Sequence, residues 1–243
     1  MADNLPDRQV SPGGEVVGQD GAVTASTSST DYTAPHWDRS ALVLIDVQND
    51  FVHGPTPIPG TAGLVPAMAR LAAAFRGAGR PVVHVVRLYV PGGSDVDPVR
   101  RSAVEAGARI AAPGSRGAEV PEELLGARLD PELLLSGAPQ EVGAAEVVLF
   151  KPRWSAFHRT PLDGHLRGLG VDTVVVAGCN LPNCPRATLF DASERDYRAV
   201  VVADATSQAT EQRLDDLRLI GVEVVETAEV VDALAGNPVA PDP

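Results

Sequence analysis

Lysine is nearly missing from this chain of 243 residues: of its 20 basic side chains, only Lys151 is a lysine, the other 19 being arginines. Arginine cannot imitate a compact ammonium whose pKa responds to burial, so the one position that keeps lysine is a candidate for chemistry that needs it. The plainer alternative is chance retention in a chain rich in Ala, Gly and Pro. Cysteine is scarce too. Cys179 and Cys184 are too few for a disulfide framework, and no basic stretch followed by an apolar one opens the chain, which points to a reduced, cytoplasmic setting. No apolar run approaches the roughly 18 residues of a membrane helix, which excludes a membrane-spanning role. Basic charge is in deficit, with a formal net charge of −12, and such a surface repels phosphate backbones, so nucleic acid is not expected as a partner.

What is present is an ordinary globular balance of 44% hydrophobic and 21% charged residues, long enough for one large α/β domain or two small ones. Residues 1–35 hold eight Ser and Thr, several Gly and Pro, a net charge of −4 and no hydrophobic period, and are expected to form a disordered or loosely docked tail. From Ala41 the run ALVLI is continuously apolar, as in a strand buried on both faces, and Asp46 falls at its end. A helical stripe over Gly63–Arg76 and a second apolar run, PVVHVVR, follow. Residues 88–144 are richer in Gly and Pro, with helical pieces near Asp97–Glu105 and Glu122–Leu125 and no clear strand; long excursions of this kind often cover a site. Order resumes with EVVLF, a helix over Leu162–Leu169, strand TVVVAG, a helix from Pro185 to about Asp196, strand AVVVAD, a helix over Glu211–Leu219 and strand VEVVE. The expected fold is therefore a three-layer α/β/α sandwich over residues 36–236 with a six-stranded, mostly parallel sheet, and residues 237–243 as a frayed end. Ligands should collect beyond the carboxyl ends of the strands.

Three chemically useful groups stand just past three separate strands: Asp46 after ALVLI, Lys151 after VVLF, and Cys184 after the turn that ends TVVVAG. Pro185 is favoured in the first helical turn, so Cys184 should sit at a helix N-terminus, where the dipole, aided by Lys151, would lower the thiol pKa. A carboxylate such as Asp46 could then take the thiol proton, completing a set of nucleophile, base and cation. A buried structural role is the alternative for Cys184 and the better reading for Cys179. His36, His53, His84, His158 and His165 show no zinc spacing, His84 reads as a core residue, and no metal or other cofactor is expected. No phosphate-binding glycine pattern follows a strand. Phe51, Trp154 and Phe157 are candidates for the apolar wall of a pocket, with core packing equally open for each.

Four segments resemble the isochorismatase-like cysteine hydrolases: LVLIDVQNDF at 42–51, KPRWSAF at 151–157, VVVAGCNLPNCPRATLFDASERDYR at 174–198 and VVVADAT at 200–206. By that resemblance Asp46, Lys151 and Cys184 match the family's Asp, Lys, Cys triad. It also implies a cis peptide between Cys179 and Asn180, with the backbone amides of Asn180 and Cys184 forming an oxyanion hole. Asn180 and the two wall aromatics Phe51 and Trp154 are the candidate substrate-binding residues. The turn here reads GCNLPNC where the family more often has GVATNVC. Nicotinamidase-like members bear an Asp and His metal pair after the second strand, and RLYVPGGSD has none. True isochorismatases lack the cysteine, so its presence implies acyl chemistry.

The leading expectation is hydrolysis of a C–N bond in a small amide, imide, lactam or N-carbamoyl compound through an acyl thioester on Cys184. The rivals are vinyl-ether hydrolysis of an isochorismate-like substrate with Asp46 as acid, and a non-catalytic oligomeric binding scaffold with Cys179 and Cys184 disulfide-bonded. The expected partners are a small-molecule substrate and, by resemblance, further copies of the chain in a homodimer or homotetramer.

Overall fold

A computed structural model describes residues 31–55, 57–93 and 95–236. The expectations for most of the N-terminal tail and for 237–243 lie outside these residues. At the start of the folded body the Arg198 guanidinium donates to the Ala34 carbonyl, and the His36 ring lies 2.7 Å from Asp172.

Strand β1, Ser40–Ile45, is buried at every position. Only a strand covered on both faces tolerates such a run, and parallel neighbours flank it: β2 (Val82–Val86) on one side and β5 (Thr173–Gly178) on the other. With β3 (Gln140–Gly143), β4 (Glu146–Phe150), β6 (Arg198–Thr206) and β7 (Glu223–Val225) the sheet runs β3-β4-β2-β1-β5-β6-β7. Alternation sorts the strand side chains onto two faces. Leu42 and Leu44 pack in one core with helices α2 (Thr61–Gly77), α3 (Pro98–Glu105), α4 (Pro131–Leu135) and α8 (Thr227–Ala235). Ala41, Val43 and Ile45 pack in the other with α5 (Leu162–Gly168), α6 (Cys184–Ser193) and α7 (Glu211–Arg218). A short helix, α1 (Asn49–Val52), follows β1 directly and puts Phe51 and Val52 into the first core.

The three-layer sandwich is as expected, but the sheet has seven strands. The added one, β3, is the antiparallel edge strand, paired with β4 and bulged between Glu141 and Gly143. Its four residues, QEVG, offer one apolar side chain and so leave no period to read. The excursion also differs at Glu122–Leu125. Starting after Pro121 and stopped by Gly126, these residues make a single turn in which Leu124 and Leu125 bond back to the Pro121 carbonyl, while helices form at α3 and α4. Helix α8, unmarked in the sequence reading, carries a capping box between Glu226 and Glu229.

The chain builds β2 and β4 to one side of β1 and then β5, β6 and β7 to the other. The strand order reverses between β1 and β5, and their carboxyl ends open a crevice there. Gly178 makes the approach of the two strands possible. At φ 121° it lies where a Cβ would come within 2.3 Å of the Ile45 carbonyl oxygen.

Candidate active site

Asp46 is the first residue past β1 and turns the chain at φ 54°, a left-handed conformation that Asp tolerates better than most residues. The turn is held on both sides. Its N–H donates to the Val85 carbonyl (2.8 Å), and its own carbonyl accepts from the Gln48 N–H (2.9 Å) and the Cys179 thiol (2.8 Å). Cys179 is thereby a buried structural donor, and burial pushes its thiol well above the ordinary value.

Lys151 follows β4 and is completely buried. Its ammonium lies 2.9 Å from Asp46 Oδ2, 3.2 Å from the Arg153 carbonyl and 3.2 Å from Cys184 Sγ. Three donors thus meet three acceptors, which satisfies the group completely. The other carboxylate oxygen, Asp46 Oδ1, is buried with no partner among the described residues. The three strand-end groups, more than a hundred residues apart at the extremes, are brought to one point.

Cys184 opens α6, with Pro185 in the first turn. The turn before it contains the cis peptide Cys179–Asn180 and is tied to the turn that follows β6. Leu181 N–H donates to the Ser207 carbonyl, and the Asn180 side-chain amide donates to Gln208 (3.0 Å) and accepts from Asn183 (3.1 Å). With the Asn180 side chain so engaged, its backbone N–H and that of Cys184 have no protein acceptor among the described residues. From the other side, Thr188 of α6 accepts the Ala156 N–H and joins the segment after Lys151 to the helix.

The expected lowering of the Cys184 thiol pKa is overturned. Burial pushes the thiol up to about 12, the Asp46 charge adds to this, and Lys151 opposes both without prevailing. The helix dipole is worth little beside the cost of desolvating a thiolate. At neutral pH the resting group is therefore a thiol that needs a base, and a carboxylate stands beside it.

A cavity of about 210 Å³ opens onto Asp46 and Cys184, and Phe51, Trp154 and Asn180 all line it, with Trp154 half-exposed at its edge. Phe157 is in the core instead, its ring 5.6 Å from that of Tyr197. Nor is the wall simply apolar. Arg87, Tyr89, Asp97 and Arg100 also line the cavity, none of them singled out from the sequence. Arg87 donates to the Tyr89 hydroxyl (2.6 Å from Nη2), to Asp97 Oδ2 and to the Lys151 carbonyl (3.4 Å). The Tyr89 hydroxyl in turn donates to Asp97 Oδ2 (3.0 Å). The signals were an arginine closing an apolar strand and an Asp before Pro98, both of which also have plainer readings. Gln48, fully buried, reaches across from the turn after β1. It accepts the Arg87 N–H (2.8 Å) and donates to the carbonyls of Arg87 (2.8 Å) and Ala118 (2.7 Å), fastening the excursion to the sheet. His84 is buried in β2 against Glu146 (2.6 Å). No group of three or more His, Cys, Asp or Glu among the described residues could hold a metal ion, and no described helix is long and apolar enough to cross a membrane.

Comparison with known proteins gives the following matches. The family model described as Isochorismatase domain matches residues 40–229. A probable inactive nicotinamidase of Arabidopsis thaliana is 34% identical over 212 residues, covering 83% of this chain and 100% of the relative. A ureidoacrylate amidohydrolase of Methylobacterium radiotolerans is 34% identical over 202 residues, covering 75% of this chain and 72% of the relative. Among solved structures, an isochorismatase family protein from Desulfovibrio vulgaris is 38% identical with a TM-score of 0.69, covering 81% of this chain and 98% of that one.

Proposed function

The chain belongs to the isochorismatase family, and on that footing we propose that it is a cysteine hydrolase of C–N bonds in small amides, imides, lactams or N-carbamoyl compounds, with Asp46, Lys151 and Cys184 as its catalytic residues. One observation carries the reading: the Lys151 ammonium lies 2.9 Å from Asp46 and 3.2 Å from Cys184 Sγ at the wall of a cavity. The similarity to a ureidoacrylate amidohydrolase supports it, since a ureido group is an N-carbamoyl amine. A cavity of this volume suits a small molecule.

The reaction follows from the protonation states. With its pKa near 12 the thiol keeps its proton until substrate arrives. The proton moves to the unpartnered Asp46 Oδ1 as Sγ attacks the carbonyl carbon, and the carbonyl oxygen takes up the negative charge. The N–H groups of Asn180 and Cys184 receive that oxyanion. Collapse of the tetrahedral species breaks the C–N bond, and the leaving nitrogen carries off the proton held by Asp46. Water then adds to the thioester, Asp46 takes its proton, and the acid leaves as Sγ is reprotonated. Throughout, Lys151 keeps Asp46 in place and offsets the negative charge shared by the pair. Phe51 and Trp154 flank the substrate.

The test is a panel of amides, lactams and N-carbamoyl compounds assayed for ammonia or acid release. Cys184→Ala should lower turnover by at least about a thousandfold. A Cys184→Ala variant that keeps turnover would sink the thioester and leave Asp46 acting as an acid; no turnover by the wild type on any member would sink the amide reading. We further propose a cytoplasmic setting, which the two free cysteines support, and a homodimer or homotetramer, which light scattering in solution tests.

A further inference from the structure

Five charged groups stand in or directly behind the wall of the catalytic cavity, and four of them are paired. Lys151 answers Asp46. Arg87 answers Asp97, and the Tyr89 hydroxyl and the Lys151 carbonyl take up the rest of its guanidinium. Arg100 is left over. Its guanidinium lines the cavity 5.9 Å from the ring centroids of both Phe51 and Tyr89, and among the described residues no carboxylate lies within ion-pair distance of it. Aromatic faces hold a cation in place without neutralising it. Asp50 lines the adjoining cavity, where its Oδ2 accepts the Ala111 N–H (2.7 Å), and it forms no ion pair with Arg100. The cavity therefore keeps one uncompensated positive charge inside a protein whose net charge is −12.

The placement matters as much as the charge. A second cavity of about 280 Å³ adjoins the catalytic one, and the two share Phe51, Ile58 and Arg100. A ligand with its amide carbon at Cys184 and a chain long enough to reach this neck meets a planar fork of donors there. That fork matches a carboxylate in shape and charge. We infer that the substrate carries a carboxylate and that Arg100 is the residue that selects for it. The inference rests on the proposed amide hydrolysis at Cys184 and narrows its substrate class to anionic amides.

Succinamate and 3-nitropropanamide make a suitable pair of probes. They share a primary amide and a two-carbon spacer, and differ only in whether the planar end group is a charged carboxylate or a neutral nitro group. Wild type should favour succinamate in kcat/KM by about ten- to a hundredfold, the usual worth of a charge-assisted hydrogen bond. In Arg100→Ala that ratio should fall close to one, mainly through KM for succinamate, and Arg100→Lys should restore part of it. Arg100 is half-exposed on α3, so neither change threatens the fold. A ratio that is the same in wild type and Arg100→Ala overturns the inference while leaving the role of Cys184 intact. If wild type hydrolyses neither probe, protection of Cys184 from iodoacetamide decides. Better protection by succinamate, lost in Arg100→Ala, upholds the carboxylate site independently of the hydrolase reading, which the wider panel decides; equal protection by both probes overturns the site.

Discussion

Replacing Lys151 by arginine keeps the charge and should still inactivate the enzyme. The ammonium at 151 is completely buried, and each of its three donors has one acceptor, at 2.9, 3.2 and 3.2 Å. A guanidinium has five donors in a plane, so it can neither fit that tetrahedral arrangement nor turn its surplus N–H groups to water. Seating the larger group pushes aside either Cys184 Sγ or the Asp46 carboxylate. A displacement of about 1 Å at a reacting atom can cost on the order of a hundredfold in rate. Overfilling a closed site costs about 1–3 kcal/mol, and at roughly 2–4 °C per kcal/mol for a domain of this size the melting temperature should drop by about 2–12 °C. Lys151→Ala differs in an informative way. It leaves the Asp46 charge buried without a partner, which costs about 3–5 kcal/mol, so alanine should be the less stable variant although both are inactive. Steady-state turnover and thermal melting of the three proteins test this. Turnover by Lys151→Arg within about threefold of the parent would refute the argument from donor geometry.

Iodoacetamide should label Cys184 in preference to the buried Cys179, slowly at neutral pH because the Cys184 thiol is held near 12; peptide mapping by mass spectrometry reads this out. Asp46→Asn removes a charge that raises that thiol, so labelling at about pH 9 should accelerate while turnover falls by at least about a hundredfold. Burial works against the Glu146 carboxylate, but hydrogen bonds from Arg76 and His84 outweigh it and hold its pKa at about 2, below the ordinary 4.5. A depressed carboxylate adds stability that is present above its unfolded value and lost as pH falls through the folded one. The melting-temperature gap between wild type and Glu146→Gln should therefore be widest above about pH 5 and close toward pH 2. Gly178→Ala should cost at least about 2 kcal/mol by chemical denaturation, because its Cβ would press on Ile45 at a positive φ; an unchanged denaturation midpoint would show that the two strands can part there.

The parallel strands, their alternation with helices and the strand-end positions of Asp46, Lys151 and Cys184 were legible in the sequence. Each is a local pattern: an apolar run, a polar residue where it stops, a proline in the first turn of a helix. Phe51 and Trp154 were legible as aromatics beside DVQND and Lys151, whereas Asn180 was reached only through the family resemblance, which carries information that spacing does not. Tertiary structure alone decided the rest. β3 exists because β4 offers it an edge, and Gln48, Arg87 and Arg100 acquire partners from segments far away in the chain. It also decided the state of the nucleophile. A helix N-terminus and a nearby lysine argue for a lowered thiol pKa, but the cost of desolvation depends on how completely the folded chain closes over the sulfur, and no stretch of sequence records that closure.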